Sequence, residues 1–382
     1  MTPVPPTPTI ILTGFLGAGK STVLRRVLTL PEFANSAVLI NEYGDVAVDH
    51  DLVMAGQTQV AMTSTGCLCC TAGSDIRASI AEMHEAAKLA GRLPLDRIVV
   101  ETTGLADMAP VVNQLVAGAV PAFGLRDHTV ARHYRLAGVV TVFDALAGRS
   151  ALERHAECVK QVAIADRVLV SKLDLFDEKD QPARLAEIET LLHALNPHVS
   201  ISPMPGDAPG IAAAFAPRPY APQDLGSDIA GWLDETSSEA GSHHHHHGDE
   251  EHLHEHHRHD ARNEDGSFGI GSFALVRELP VEKAALAHVI DLVGRMHGAN
   301  LLRLKGIVAF SDEPDTPYVV QVVQHLVHPL RRLDAWPSAD RRTRLVAITH
   351  GIDPAVLERM IASMLDGSSV DPAPSPIETI RL

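Results

Sequence analysis

The segment 14–21 (GFLGAGKS) has the residue types and spacing of a phosphate-binding loop. An apolar β-type run over 9–13 precedes it and a helical pattern begins at Ser21, so the segment joins a strand to a helix as such a loop requires. Glycines let backbone N–H groups approach phosphate oxygens, and the N-terminus of the next helix adds positive partial charge. The glycines expected to do so are Gly14, Gly17 and Gly19. A glycine-rich turn that matches by chance is the alternative.

Two side chains at the end of this loop are candidates for contact with the phosphates and their metal ion. Lys20 is expected to reach the β- and γ-phosphates, and the Ser21 hydroxyl to ligate Mg²⁺. Thr22, the next residue of the helix, is a further candidate nucleotide contact.

A carboxylate and a glycine follow the apolar run 98–100. Glu101 is expected to hold Mg²⁺ through a water molecule and, with Lys20, to form the catalytic part of the site, while the Gly104 N–H would sense the γ-phosphate. Leu105 stands where some GTPases have a glutamine that orients the attacking water. We therefore expect slow intrinsic hydrolysis that a partner or a bound ion raises. An ordinary strand with an acid at its exposed end is the alternative.

The choice of base depends on the segment 171–174, which follows a strand late in the first half of the chain. The Asp174 carboxylate would accept hydrogen bonds from guanine N1–H and N2–H₂, whereas the unprotonated N1 of adenine would repel it. The stem of Lys172 can cover one face of the base. Ser171 stands where asparagine is usual, which weakens the guanine signal, and a surface turn with a chance lysine and aspartate is the alternative.

Three of the four cysteines fall within four positions, at Cys67, Cys69 and Cys70. Such crowding disfavours a disulfide framework and favours metal binding. A helix expected to begin near Ser74 would lower the thiol pKa values through its N-terminus. Three sulfurs leave one tetrahedral position open or exchangeable, which suits metal transfer. Glu42, a histidine or a ligand of the recipient would fill it; a redox centre and unligated thiols are the alternatives.

The segment 41–45 follows the second strand, where nucleotide-sensitive switch segments often lie. Nucleotide state could therefore change the cysteine geometry by ordering this loop. Asp45 or Asp49 could approach Mg²⁺, although each is more readily explained as a solvated loop acid.

Ten histidines stand among acids in the segment 243–259. Neutral imidazoles bind Zn²⁺, Ni²⁺, Co²⁺ and Cu²⁺, and a flexible array binds them fast, weakly and with poor selectivity. The segment is therefore a candidate for weak metal capture, with a merely solvated linker as the alternative. Its histidines are His243, His244, His245, His246, His247, His252, His254, His256, His257 and His259.

Composition excludes some classes of function. The net charge of −16 argues against nucleic-acid binding, which needs cations that displace counterions. No run of 18 apolar residues is present, so we expect no membrane span and a cytoplasmic location. Cys158 stands alone in a helical pattern and is expected to be a small buried apolar residue.

The pattern of elements predicts an α/β fold: a P-loop NTPase domain over 9–205 with a mostly parallel sheet and helices on both faces. A smaller α+β domain with an antiparallel sheet is expected over 267–365, and a tail over 366–382. Between the domains, the composition of 206–266 changes first to Pro and Gly and then to His and acidic residues, which is typical of a disordered linker.

The strands expected in the first domain are 9–13, 37–40, 97–101, 138–143 and 167–171. The helices expected there include 21–30, 74–90 and 183–195. In the second domain, strands are expected at 272–276, 301–310, 319–325 and 344–349, and helices at 281–296 and 354–365.

Taken in order, the phosphate loop, the segment 41–45, the Cys-x-Cys-Cys triplet and the segments 101–104 and 171–174 resemble the CobW/YjiA family of P-loop GTPases. The resemblance extends to 301–306 and 319–324, which look like the C-terminal domain of that family. The triplet is its most specific element, and Ser171 in place of asparagine is a departure.

The resemblance implies GTP hydrolysis with Mg²⁺, coupled to loading Zn²⁺, or Co²⁺ or another transition metal, into a client metalloprotein. It also implies that Glu42, Cys69 and Cys70 are metal ligands with Cys67 a further one. Two alternatives remain open at this point: an accessory GTPase for cobalt or iron insertion into one metalloenzyme or the cobalamin pathway, and a His-rich metal store with a vestigial nucleotide site. The sequence leaves the oligomeric state open.

Overall fold

The computed structural model describes residues 5–40, 59–62, 76–116, 118–197, 199–218, 220, 269–298, 300–324 and 326–366. The chain divides into two compact units, Met1–Asp224 and Leu225–Leu382.

In the described part of the first unit, one or two helices stand between most consecutive strands. The strands are β1 (Thr7–Gly14), β2 (Ser36–Ile40), β3 (Gln59–Met62), β4 (Arg97–Glu101), β5 (Tyr134–Asp144), β6 (Arg167–Ser171) and β7 (Ser200–Pro203). The helices are α1 (Lys20–Leu28), α2 (Ile76–Leu89), α3 (Met108–Leu115), α4 (Gly124–His133), α5 (Gly148–Arg154), α6 (Ala156–Ala163), α7 (Gln181–Leu195) and α8 (Ala208–Ala214). Short 3₁₀ turns lie at Pro31–Phe33 and Leu173–Leu175.

The strands of this unit form a parallel sheet in the order β3-β2-β4-β1-β5-β6-β7. β2 and β6 are buried along their whole length, as expected of strands covered by helices on both faces. β1 lies between β4 and β5 near the middle, so the loop that follows it opens at the centre of the carboxyl edge. This is the edge at which ligands bind in open α/β sheets.

Helix α8 begins within the segment that composition assigned to the linker. The buried guanidinium of Arg167 on β6 donates to the carbonyl oxygens of Ala214 (2.6 Å) and Ala216 (2.8 Å), which fastens the end of α8 to the sheet. Phe215 is fully buried and its ring lies edge-on to that of Phe33, with 6.2 Å between centroids. Burial lowers the pKa of Arg167 to about 10, which still leaves it charged at neutral pH. The folded domain therefore extends past the sequence-based boundary at 205.

The second unit is an α+β domain, as the sequence predicts. Its elements are β8 (Ile270–Arg277), α9 (Lys283–His297), β9 (Leu301–Phe310), β10 (Glu313–Val323), β11 (Leu326–Val327), β12 (Arg331–Arg332), β13 (Thr343–His350) and α10 (Pro354–Asp366). The antiparallel sheet has the order β11-β10-β9-β13-β8, with β12 paired to β10. Helices α9 and α10 pack on it through apolar side chains such as Val289, Leu357 and Ile361.

Each strand expected from the sequence is present; β4, β6 and β9 have the predicted bounds, and the ends of the others differ by up to six residues. The sequence does not predict the short strands β3 and β7, because a run of only four residues carries little periodicity. No helix in the described ranges is long and apolar enough to cross a membrane. Positions 219 and 221–266 of the predicted linker, the first two positions of the predicted second domain and 367–382 of the predicted tail lie outside the described residues.

We expect the substitution Phe215→Ala to lower the free energy of unfolding by about 3–5 kcal/mol, because it removes a fully buried aromatic ring. Urea unfolding followed by far-UV circular dichroism would measure the change. The control is Leu125→Ala on α4, whose side chain is 88% exposed and whose loss should change stability by less than about 0.5 kcal/mol. Equal stability of the two variants would contradict the inclusion of 208–218 in the first domain.

Candidate nucleotide-binding site

The predicted phosphate loop connects β1 to α1 at the centre of the carboxyl edge. Its glycines have positive φ values of 140° at Gly14, 72° at Gly17 and 103° at Gly19. Gly14 also packs closely on β5, since a Cβ atom there would lie 2.4 Å from the carbonyl oxygen of Val142. The loop therefore has the left-handed and close-packed conformation that only glycine allows without strain.

The side chain of Lys20, the first residue of α1, folds back over the loop. Its ammonium donates to the carbonyl oxygens of Gly14 (2.8 Å) and Phe15 (3.3 Å), and only 9% of the residue is exposed. This position keeps a buried positive charge at the mouth of the loop, where phosphate oxygens would bind. Thr22 follows on α1 with its side chain exposed.

The two predicted Mg²⁺ contacts lie next to each other. The Ser21 hydroxyl donates to Oε1 of Glu101 at 3.3 Å, although the residues are 80 positions apart in the chain. Glu101 ends β4 and is 3% exposed. A hydroxyl and a carboxylate are oxygen ligands of the type that Mg²⁺ prefers, so this pair fits the ion.

The turn after β4 lies directly against the phosphate loop. A Cβ atom on Gly104 would lie 2.6 Å from the backbone nitrogen of Leu16, so any side chain at this position would collide with the loop. The Thr102 hydroxyl donates to the Thr13 hydroxyl at 2.8 Å, which joins the ends of β4 and β1. Leu105 follows with 45% of its surface exposed and offers no polar group to a water molecule.

The segment 171–174 follows β6 beside the phosphate loop. The Ser171 hydroxyl donates to the carbonyl oxygens of Ala18 (2.7 Å) and Phe143 (3.2 Å), so serine ties this segment to the phosphate loop. The departure from asparagine therefore leaves a hydrogen-bonding side chain at that position. Asp174 lies in the 3₁₀ turn with its side chain exposed, and Lys172 precedes the turn with φ 60°.

Asp144, the last residue of β5, was not singled out in the sequence. Its carboxylate pairs with the Lys172 ammonium and accepts from the backbone nitrogens of Leu146 (2.8 Å) and Ala147 (3.1 Å). Burial by itself would raise the pKa of Asp144, but these donors outweigh it and hold the pKa below its usual value. The charged carboxylate fixes Lys172 beside the predicted base-binding turn. The sequence signal that points to Asp144 is an acidic residue at the C-terminal end of an apolar strand, as at Glu101.

The predicted transition-metal ligands cannot be placed. Glu42, Cys67, Cys69, Cys70 and the histidines of 243–259 lie outside the described residues, as does the segment 41–45. Within the described ranges no group of three or more His, Cys, Asp or Glu side chains is arranged to hold a metal ion. Cys158 is buried on α6, and burial raises the pKa of its thiol to about 12, which agrees with the expected apolar role.

Comparison with family models assigns both units. Residues 8–203 match the CobW/HypB/UreG nucleotide-binding domain, and residues 270–365 match the cobalamin synthesis protein cobW C-terminal domain.

Individual relatives agree with the family models. The chain is 32% identical over 179 residues to the zinc chaperone YjiA of Escherichia coli K12, a match that covers 47% of this chain and 53% of YjiA. It is 26% identical to the zinc chaperone CobW of a Sinorhizobium species, over 94% of this chain and 97% of that protein. The crystal structure of Zn(II)-bound YjiA GTPase from E. coli shares the fold with a TM-score of 0.62 and 19% identity, over 94% of this chain and 99% of that one. With a P-loop site of intact geometry and both domains matched, the chain belongs to the CobW/YjiA family of P-loop GTPases.

Proposed function

We propose that this protein is a GTP-hydrolysing metallochaperone that binds Zn²⁺, or a similar transition metal, and transfers it to client metalloproteins. The observation that carries the proposal is the hydrogen bond from Ser21 to Glu101, next to the buried ammonium of Lys20. In a metal-storage protein the nucleotide site would be vestigial. Such a protein would not require a hydroxyl, a carboxylate and a buried ammonium to lie together. Burying such groups is costly unless they bind one another or a ligand.

Each residue of the site has a role in this proposal. Lys20 and the loop amides hold the β- and γ-phosphates, Ser21 and Glu101 hold Mg²⁺, and the Gly104 N–H contacts the γ-phosphate. Bound Mg²⁺ would neutralise the charge that develops on the phosphate oxygens. Leu105 supplies no water-orienting group, so turnover without a partner or a bound ion is slow.

Guanine selection depends on the turn after β6. Asp174 accepts from the N1–H and N2–H₂ groups of guanine, and Lys172 covers one face of the base. The ion pair between Lys172 and Asp144 supports this role because it fixes the lysine stem before the base arrives.

The metal site would be formed by Cys67, Cys69, Cys70 and Glu42. The relatives YjiA and CobW are named zinc chaperones, which supports Zn²⁺ as the cargo. Three thiolates and one exchangeable ligand suit release to a client better than permanent binding. A reducing cytoplasm would keep the thiols free for metal. The histidines of 243–259 would capture metal weakly.

The sheet register supports coupling between the nucleotide and the metal. Ile40 at the end of β2 pairs with both Glu101 on β4 and Met62 on β3. β2 and β3 therefore end at the same edge of the sheet, beside the carboxylate proposed to bind Mg²⁺. Glu42 follows the end of β2 by two residues and Cys67 follows the end of β3 by five, which supports a metal site close to the nucleotide.

An accessory role in cobalt insertion is the second candidate, because residues 270–365 match a domain described from cobalamin synthesis. It shares the same nucleotide chemistry and differs in the metal and the client. A pull-down from metal-replete extract would separate the two, since one recovered metalloenzyme would favour the accessory role and several unrelated zinc proteins the general chaperone.

We expect Lys20→Ala to abolish GTP turnover, because it removes the positive charge at the mouth of the phosphate loop. Phosphate release with Mg²⁺ and GTP would measure this against the wild type. The control is Lys179→Ala, an exposed lysine outside the loop, which should keep wild-type turnover. Equal activity of wild type and Lys20→Ala would refute the assigned site.

We expect Asp174→Asn to change base preference from GTP toward XTP. The asparagine amide can donate to the xanthine 2-oxo group, whereas the aspartate carboxylate repels it. Competition binding against a fluorescent GTP analogue would give the two affinities, with a shift in their ratio of at least about tenfold for loss of a charged hydrogen bond. Asp177→Asn, an exposed acid three positions on, should leave the ratio unchanged.

Zinc affinity should depend on the nucleotide. Isothermal titration of Zn²⁺ into the full chain is expected to give different dissociation constants with GTP and GDP present, and zinc should raise the hydrolysis rate. The double substitution of Cys69→Ser with Cys70→Ser should remove the nucleotide-dependent site and leave the weak binding by histidines. Equal zinc affinity in both nucleotide states, with no stimulation of turnover, would refute the coupling.

A further inference from the structure

A fully buried amide side chain on α6 is hydrogen-bonded to the turn that follows β4. Nε2 of Gln161 donates to the carbonyl oxygens of Gly104 at 3.0 Å and Ala106 at 3.4 Å. The backbone of Gln161 is itself held by the Thr141 hydroxyl on β5, which donates to its carbonyl oxygen at 2.9 Å. The side chain thus connects the rigid sheet to the segment proposed to sense the γ-phosphate.

The orientation of this amide is defined by its surroundings. Both neighbours are carbonyl oxygens, which only accept hydrogen bonds, so the NH₂ end of Gln161 must face them. Oε1 is buried with no hydrogen-bond partner among the residues that the structure describes. Packing alone would be better served by an apolar side chain of similar size, because a buried unsatisfied oxygen is destabilising. The two hydrogen bonds from Nε2 therefore account for the amide at this position.

Gly104 needs such a restraint more than another residue would. It has no side chain to limit its backbone, and it lies so close to Leu16 that none could be added. Hydrogen bonds to its own carbonyl and to that of Ala106 fix the peptide planes on its C-terminal side. The peptide unit that carries the Gly104 N–H is held as well, because its Thr103 carbonyl oxygen accepts from the backbone N–H of Ala106 at 3.2 Å.

Helix α6 also contacts two segments close to this glycine, the N-cap of α3 and the phosphate loop. Nζ of Lys160 lies 2.7 Å from Oδ2 of Asp107, the residue whose other carboxylate oxygen caps α3 by accepting from Ala109 N. At the start of α6, the His155 ring stacks on the ring of Phe15 in the phosphate loop, with 4.6 Å between centroids. Helix α6 therefore contacts the phosphate loop at one end and the turn after β4 through consecutive residues.

We propose that Gln161 is a positioning residue that holds the Gly104 N–H toward the γ-phosphate and so gives the protein its preference for nucleoside triphosphate over diphosphate. This inference rests on the proposed function, a GTP-hydrolysing metallochaperone. It requires that loss of the Nε2 donor weakens binding of the triphosphate selectively, because a diphosphate presents no γ-phosphate to Gly104.

The test compares Gln161→Met, which keeps the volume and removes the donor, with wild type in the full chain. Isothermal titration with GDP and with the non-hydrolysable analogue GMPPNP, both with Mg²⁺, gives the ratio of the two affinities. We expect GMPPNP affinity to fall about tenfold with GDP affinity within about twofold of wild type, and kcat to fall with KM for GTP raised.

Asn196→Leu is the matched control. Nδ2 of this buried asparagine also donates to carbonyl oxygens, those of Val162, Ala163 and Ala165 at 3.0–3.2 Å. These lie at the opposite end of α6 from the phosphate loop. This substitution should lower the melting temperature and leave the GMPPNP-to-GDP ratio at its wild-type value. If Gln161→Met does not fold, Gln161→Leu, a smaller apolar side chain that also lacks the donor, gives the same comparison.

Equal loss of GDP and GMPPNP affinity in the Gln161 variant, or no change in either, would overturn the positioning role. A wild-type protein that binds neither nucleotide would instead refute the proposed function, so the two failures are distinguishable.

Discussion

The parallel register of the first sheet is the constraint on which the rest of this site depends. β1 pairs with β4 so that Leu12 lies opposite Glu101, and with β5 so that Gly14 lies opposite Val142. Parallel strands end at the same edge, so one edge collects the phosphate loop, the acid of β4 and the turn after β6. Side chains 80 positions apart, such as Ser21 and Glu101, then come within hydrogen-bond distance without any local sequence signal.

Charge at this edge is balanced locally. Lys20 lies on loop carbonyl oxygens, and Lys172 pairs with Asp144, whose pKa stays low. Such pairing lets a parallel sheet carry charged groups at its buried carboxyl end, because each charge has a partner of opposite sign or a backbone dipole. In the proposed function, these groups would already be in place before phosphate and base bind.

Helix α6 connects the phosphate loop with the turn after β4 through contacts that the motif sequences do not predict. Its first contact is with the phosphate loop through His155 and Phe15, and its last turn reaches Gly104 and Asp107. A movement of the turn after β4 would therefore be resisted by a helix anchored to the sheet and to the loop. In the proposed function, packing of this helix would therefore influence which nucleotide state the site favours.

The sequence was a good guide to the fold of both units. Long apolar runs such as 301–310 have a strong periodicity and were predicted with correct bounds, whereas β7, with exposed and half-buried residues, was not. The first domain continues to α8 because Arg167 and Phe215 pack there, and composition does not record such long-range contacts. The predicted metal ligands Glu42, Cys67, Cys69 and Cys70 lie outside the described residues and stay a prediction.

The sequence by itself determined the chemistry of the nucleotide site, because glycine, lysine and serine at fixed spacing act within one loop and need only local structure. The tertiary structure decided how that loop is joined to the rest. It paired Ser21 with Glu101, gave Ser171 a bond to Ala18, and set Gln161 against Gly104. These contacts join residues 57 to 153 positions apart, and only the packing of strands and helices brings such residues together.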